Sequence, residues 1–200
     1  MSVLKNKGQK LIQGVAYNSK GIHKTKANGK STVAYKKWYS MIQRCYSVSF
    51  QVKSPSYKDC MVCDEWLDFQ NFAEWFYSQV DNDKDYHLDK DLLDPNNKKY
   101  SPNTCCLVPR DLNNLILDSK GIRGKHPQGV CFERKEGKFR ACFKAGKRTN
   151  VFLGYFDCPQ EAHQTYVKAK EAHVKKVANE WRGRIDKRVY EALMNWSVSK

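Results

Sequence analysis

Residues 129–173, GVCFERKEGKFRACFKAGKRTNVFLGYFDCPQEAHQTYVKAKEAH, hold three short apolar-rich runs and then a long helical pattern. GVCFER, KFRACFK and NVFLGYF are separated by turn chemistry at Glu136-Gly137 and Gly146-Lys147, which predicts three strands. From about Pro159, residues Ala162, Tyr166, Ala169, His173 and Val177 recur at helical spacing, which predicts one helix. In KFRACFK, alternation sets Lys138, Arg140, Cys142 and Lys144 on one face and Phe139, Ala141 and Phe143 on the other. One face is suited to pack on the helix and the other to meet phosphates. Arg134 on the first strand, with Lys147 and Arg148 at the second turn, extends the basic face. A sheet of this width matches the major groove of duplex DNA. The expectation is a small α+β domain over 128–182, followed by a further helix within 183–200 that offers Tyr190, Leu193, Met194 and Trp196 for docking.

Upstream, SKGIRGKHPQG is basic and glycine-bearing, and 119–127 reads as a linker. Before it, YHLDKDLLDPNNKKYSPNTCCLVPRDLNNLILDS predicts a strand from Tyr86 to Leu93 and a turn at Asp94–Lys98. A returning strand from Tyr100 to Val108 and a helix from Pro109 through Ile116 complete the unit. In an extended chain His87, Asp89 and Asp91 share one face, so an imidazole and two hard oxygen donors converge. Earlier still, STVAYKKWYSMIQRCYS and EWLDFQNFAEWFYSQV place aromatic stripes on two helices, the first capped from about Ser31. Those stripes read as core rather than as base-stacking platforms. Residues 1–30, with four glycines among lysines, read as an irregular basic arm that orders on DNA.

The charge follows the same division. The whole chain carries 36 Lys or Arg against 21 Asp or Glu, a net of +15. Residues 1–58 hold 12 basic residues and no acid, residues 59–118 carry a net −8, and residues 119–200 a net +11. Basic flanks around an acidic centre suit a metal-dependent enzyme on a phosphodiester, carboxylates holding the cation and lysines the phosphates. A solvated acidic loop is the plainer alternative. No apolar run is long enough for a membrane span and the first twenty residues lack a signal-peptide core, so a soluble cytoplasmic protein with no membrane partner is expected.

Two resemblances sharpen this. Gly129-Val130, Lys138-Phe139-x-Ala141-x-Phe143, Leu153-Gly154-x-Phe156 and Glu161-Ala162 resemble the Apetala/ethylene-response-factor type DNA-binding domain. That resemblance implies a three-stranded sheet laid in the major groove, read here through Arg134, Lys138, Arg140, Lys144, Lys147 and Arg148. Phe139 stands where the family usually has Trp, and Cys131 where plant members have Arg, so base preference does not carry over.

Residues 31–118, through YKKWYSMIQRCY, SYKDCMVCDEWLDFQNFAEW, HLDKDLL and YSPNTCCLVPRDLNN, resemble the HNH, or ββα-metal, endonucleases of bacteriophages and mobile introns. That resemblance implies His87 as general base, Asp89 and Asp91 as acidic metal ligands, and Asn103 near the orienting position. Asn113 or Asn114 on the helix would complete the site around one Mg²⁺ or Mn²⁺. The family's Asp-His pair is replaced by Leu-Asp-Lys-Asp, which puts Lys90 or Asp91 near the expected base, and the best register puts Thr104 at the orienting position. The implied activity is metal-dependent, sequence-directed DNA cleavage of the homing or nicking type, in the host-cell cytoplasm if phage-encoded. A DNA-binding regulator on an inactive scaffold is the alternative. Double-stranded DNA is the expected partner, and two-strand cleavage leaves a homodimer open. Among eight cysteines, Cys60 and Cys63 have zinc-ligand spacing, but adjacent Cys105-Cys106 make a poor second pair, and buried thiols are the preferred reading.

Overall fold

The chain is α+β, and a computed structural model describes its residues 11–79, 86–117, 124–146 and 149–198. It divides into two units, Met1–Leu107 and Val108–Lys200. The sequence-based linker at 119–127 therefore falls inside the second unit, and its residues 119–123 lie outside the described ones.

The first unit opens with a hairpin, β1 (Lys26–Ala27) against β2 (Lys30–Ser31). Its two-residue loop, Asn28-Gly29, has φ of 49° and 73°, the double left-handed conformation that matches strand twist and favours Asn-Gly. Helix α1 (Val33–Tyr46) starts one residue later than its sequence suggests. Ser31 is paired in β2, and Thr32 instead accepts the Tyr35 backbone N–H as the cap. A short α2 (Val48–Lys53), β3 (Met61–Val62) and a 3-10 turn (Asp64–Leu67) lead into α3 (Phe69–Gln79). The two aromatic stripes meet as expected: Trp38, Met41, Ile42 and Cys45 of α1 are buried with Phe69, Phe72 and Phe76 of α3. The Trp38 indole N–H donates to the Trp66 carbonyl at 2.7 Å, so this buried ring leaves no donor unsatisfied. Truncating one such phenyl ring to Ala costs about 3–5 kcal/mol.

The described part of the N-terminal segment is docked, not a free arm. Tyr17 N–H donates to the Leu67 carbonyl and Phe69 N–H to the Tyr17 carbonyl, each at 2.9 Å. The predicted long hairpin of residues 86–108 is also cut short. β4 (Tyr86–Asp89) ends after four residues. The returning segment splits into β5 (Lys99–Tyr100), which runs parallel to β3, and β6 (Cys106–Pro109), which pairs with β4. A turn at Ser101–Thr104 separates them, with the Thr104 hydroxyl on the Lys99 carbonyl at 2.6 Å.

In the second unit α4 (Arg110–Ile116) precedes an antiparallel sheet ordered β7 (Val130–Glu133), β8 (Lys138–Lys144), β9 (Asn150–Phe156). Helix α5 (Pro159–Glu180) packs on one face of this sheet, and α6 (Lys187–Met194) packs on α5. Phe143, Tyr166 and Val198 form a buried cluster joined by Trp196, and α6 buries Val189 and Leu193. Gly129, at φ 77°, lies so close to α5 that a Cβ there would overlap the Tyr166 ring. Among the described residues, no helix is long and apolar enough to cross a membrane.

Candidate nucleic-acid interface

The face of the second-unit sheet away from α5 follows from register. Arg140 of β8 stands between Cys131 of β7 and Tyr155 of β9, Lys138 pairs with Glu133, Cys142 with Phe152, and Lys144 with Asn150. Directly paired residues share a face, so Lys138, Arg140, Cys142 and Lys144 lie together, as their alternation predicts. A register shift at Ala141/Cys142 brings Phe152 and Tyr155, three residues apart, onto that same side. Both are open to solvent, Phe152 at 56% and Tyr155 at 43%, and their rings meet edge to face at 5.0 Å. Strict alternation missed these two rings. The signal available in the sequence was Gly154 inside a strand, a common mark of a bulge.

Arg140 anchors the centre of the face. Its side chain hydrogen-bonds Cys131, and this contact, together with the neighbouring Cys142, pushes the guanidinium above its ordinary pKa. Its Nε is buried without a hydrogen-bond partner. Lys138 is tied to Asp157 at 3.4 Å, while Lys144 is exposed. Arg134 sits in the turn after β7, not on the strand, because β7 ends at Glu133. Lys147 and Arg148 lie outside the described residues.

The acidic strand departs further from expectation. His87 and Asp89 both lie in β4, on one face and half-buried, but Asp91 falls beyond the strand end. One Asp89 carboxylate oxygen accepts the backbone N–H groups of Asp91 and Leu92, both at 2.8 Å, and turns the chain. Lys90 is buried at 6% exposure, where an ammonium requires a partner. Its Nζ bonds the Asp91 carboxylate and the Asn97 carbonyl, the latter at 3.1 Å. Burial opposes the charge on Lys90, but Asp91 outweighs it and holds the ammonium above its usual range. Asn97 closes the loop, its amide donating to the Lys90 and Lys99 carbonyls at 2.9 Å each.

Asp91 is therefore the counter-ion of a buried lysine instead of a third member of the His87–Asp89 face. Asn103 is exposed in the turn between β5 and β6. Asn113 is buried on α4, in the second unit, with Asn114 exposed beside it. Among the described residues, no three His, Cys, Asp or Glu side chains stand together as a metal-holding set. The fit to Mg²⁺ or Mn²⁺ is poor: one Asp89 oxygen caps backbone and Asp91 is neutralised by Lys90.

Of the cysteines of the first unit, Cys45, Cys60 and Cys105 are buried and Cys63 is half-buried. Burial pushes the Cys45 and Cys105 thiols up to about 12 and raises that of Cys63. No protein-family model matches the chain, and no curated protein or solved structure matches it.

Proposed function

We propose that this chain is a sequence-directed duplex-DNA-binding protein built on an endonuclease-type scaffold. The observation that carries the reading is the outer face of β8 and β9, where Arg140 and Lys144 stand beside the exposed rings of Phe152 and Tyr155. Cations there match phosphates and guanine edges, and flat apolar rings match sugars and thymine methyl groups. The resemblance of residues 129–173 to the Apetala/ethylene-response-factor domain supports the same face, and the net +11 of residues 119–200 supplies long-range attraction. The proposed place of action is the cytoplasm, that of the host cell if the protein is phage-encoded. Selection from a random duplex pool, followed by anisotropy titration with duplex RNA as competitor, tests the proposal. Enrichment of one motif supports it, while equal affinity for every duplex, or preference for RNA, counts against it.

A second reading is metal-dependent phosphodiester hydrolysis, of the HNH endonuclease kind. It is favoured by His87 and Asp89 sharing one face of β4. Supercoiled plasmid carrying the selected motif, incubated with Mg²⁺ or Mn²⁺ and with chelator, decides it: metal-dependent relaxation or linearisation supports cleavage, and inertness despite tight binding leaves the DNA-binding reading alone.

A further inference from the structure

The first unit carries an element that the sheet-based reading does not use. Lys24, Lys26 and Lys30 on and beside the β1–β2 hairpin are all exposed, and none has an acidic partner among the described residues. Register places Lys26 opposite Ser31 and Lys30 opposite Ala27, so Lys26 and Lys30 project from opposite faces of the ribbon. The segment leading into the ribbon is bonded to α3. His23 binds Glu74 at 2.8 Å and stacks on Tyr77, with ring centroids 5.5 Å apart. Gln70 accepts the His23 N–H at 3.0 Å, and its amide donates to the His23 carbonyl at 3.0 Å and to Asn18 at 2.7 Å. Asp68, itself buried, accepts the Ser19 N–H at 3.0 Å. At the other end the Thr32 N–H and hydroxyl reach back to the Thr25 and Lys24 carbonyls at 2.9 and 3.0 Å. Asp68, buried, and Glu74, still largely exposed, bond this segment, and Lys24, Lys26 and Lys30 set three cations on its outer surface.

We infer that this hairpin is a preformed duplex-backbone clamp, by which the first unit holds nucleic acid through its own contacts. A two-stranded ribbon fits a major groove, and lysines on both faces reach the phosphates of the two strands that border it. A mount already ordered before binding spares the cost of fixing a loop on the DNA. The inference rests on the DNA-binding reading above for the identity of the partner, and it adds a second, separable surface.

The test is anisotropy titration of the full chain against a random-sequence 30-base-pair duplex across a salt series. The wild type is compared with a Lys24→Ala/Lys26→Ala/Lys30→Ala variant and with an Arg140→Ala/Lys144→Ala variant. Three lost phosphate contacts make the slope of log K against log salt shallower by about 2–3, with affinity at low salt falling about tenfold or more. The lysines are exposed and the hairpin bonds are made by other groups, so unchanged thermal midpoints are expected. An unchanged slope in the lysine variant, while the sheet variant loses affinity, overturns the clamp and leaves the DNA-binding reading standing. No duplex binding by the wild type overturns both. Tighter binding of the wild type to phosphatidylserine vesicles than to duplex, lost in the lysine variant, overturns the clamp in favour of a membrane surface.

Discussion

β8 and β4 both carry polar residues at every second position, yet they present them differently. β8 runs for seven residues, laddered to β7 from Lys138 to Ala141 and to β9 from Phe139 to Lys144, so Lys138, Arg140, Cys142 and Lys144 keep one face. β4 lasts four residues and then yields to Asp89, whose carboxylate captures the next backbone N–H groups. A short polar side chain can satisfy the backbone more locally than a neighbouring strand can, and where it does, alternation stops. Two lysines buried among the described residues repeat the contrast. Lys90 has the Asp91 carboxylate, whereas Lys170 on α5, also buried, has the Lys144 carbonyl at 3.5 Å and the Phe143 ring. Burial accordingly draws the Lys170 ammonium down to about 8, the opposite direction from Lys90.

The sharpest way to break the contrast is Gly129→Ala. Its left-handed backbone and the overlap with Tyr166 together are expected to cost about 2–5 kcal/mol, seen as a lower thermal midpoint and lost protection of β7 amides. An unchanged midpoint would mean that the sheet is not held to α5 as described. Arg140→Ala comes next, with an expected loss of about 1–3 kcal/mol on the preferred duplex and weaker discrimination among sequences. Equal losses on all sequences would reduce Arg140 to a phosphate contact.

The lysines give smaller effects with opposite pH signatures. Lys170 has a folded-state pKa of about 8 against 10.5 for the unfolded chain, so the unfolded state binds more protons between those values. Native stability tied to this group therefore rises with pH across that interval, and Lys170→Met is expected to stabilise by roughly 1–2 kcal/mol at neutral pH after solvent screening. A destabilised Lys170→Met protein would show the amine to be satisfied after all. Asp91→Ala, removing a half-exposed partner, is expected to cost about 1 kcal/mol. Because the Lys90 pKa is raised, that contribution is present below about 10.5 and is lost as pH climbs above it. Smallest of all, Asp89→Ala is expected to leave duplex affinity within about twofold, since phosphate attraction comes from the cations. A large loss would return the acidic strand to the DNA interface.

Helix and strand identities were legible wherever a period ran long enough. KFRACFK, the α5 pattern and the aromatic stripes of α1 and α3 each repeat over two or more turns or pleats, and each stands where expected, except that Glu65, Trp66 and Leu67 fall in the 3-10 turn and α3 begins only at Phe69. What escaped were aperiodic partnerships. Asp68, Gln70 and His23 hold residues 17–32 through bonds spanning nearly fifty positions, and a basic, glycine-bearing stretch gives no sign of them. Lys99–Tyr100 pairs in parallel with Met61–Val62, and two-residue strands have no period to read. In the candidate site, Arg140 and its basic neighbours were visible from alternation, but the exposed rings of Phe152 and Tyr155 depended on a bulge. Asp91 was misplaced because the demand of buried Lys90 for a counter-ion is a property of packing that alternation does not register.

The division of the chain inside β6 bears on how such a protein can be recombined. The glycine-bearing stretch near 124 has the composition of a seam at which the sheet and α5 could be detached. A junction there would carry the sheet and α5 but leave behind α4, which packs on α5. A piece that keeps α4 with the sheet begins at Val108, and its seam lies within β6, where insertions are poorly tolerated.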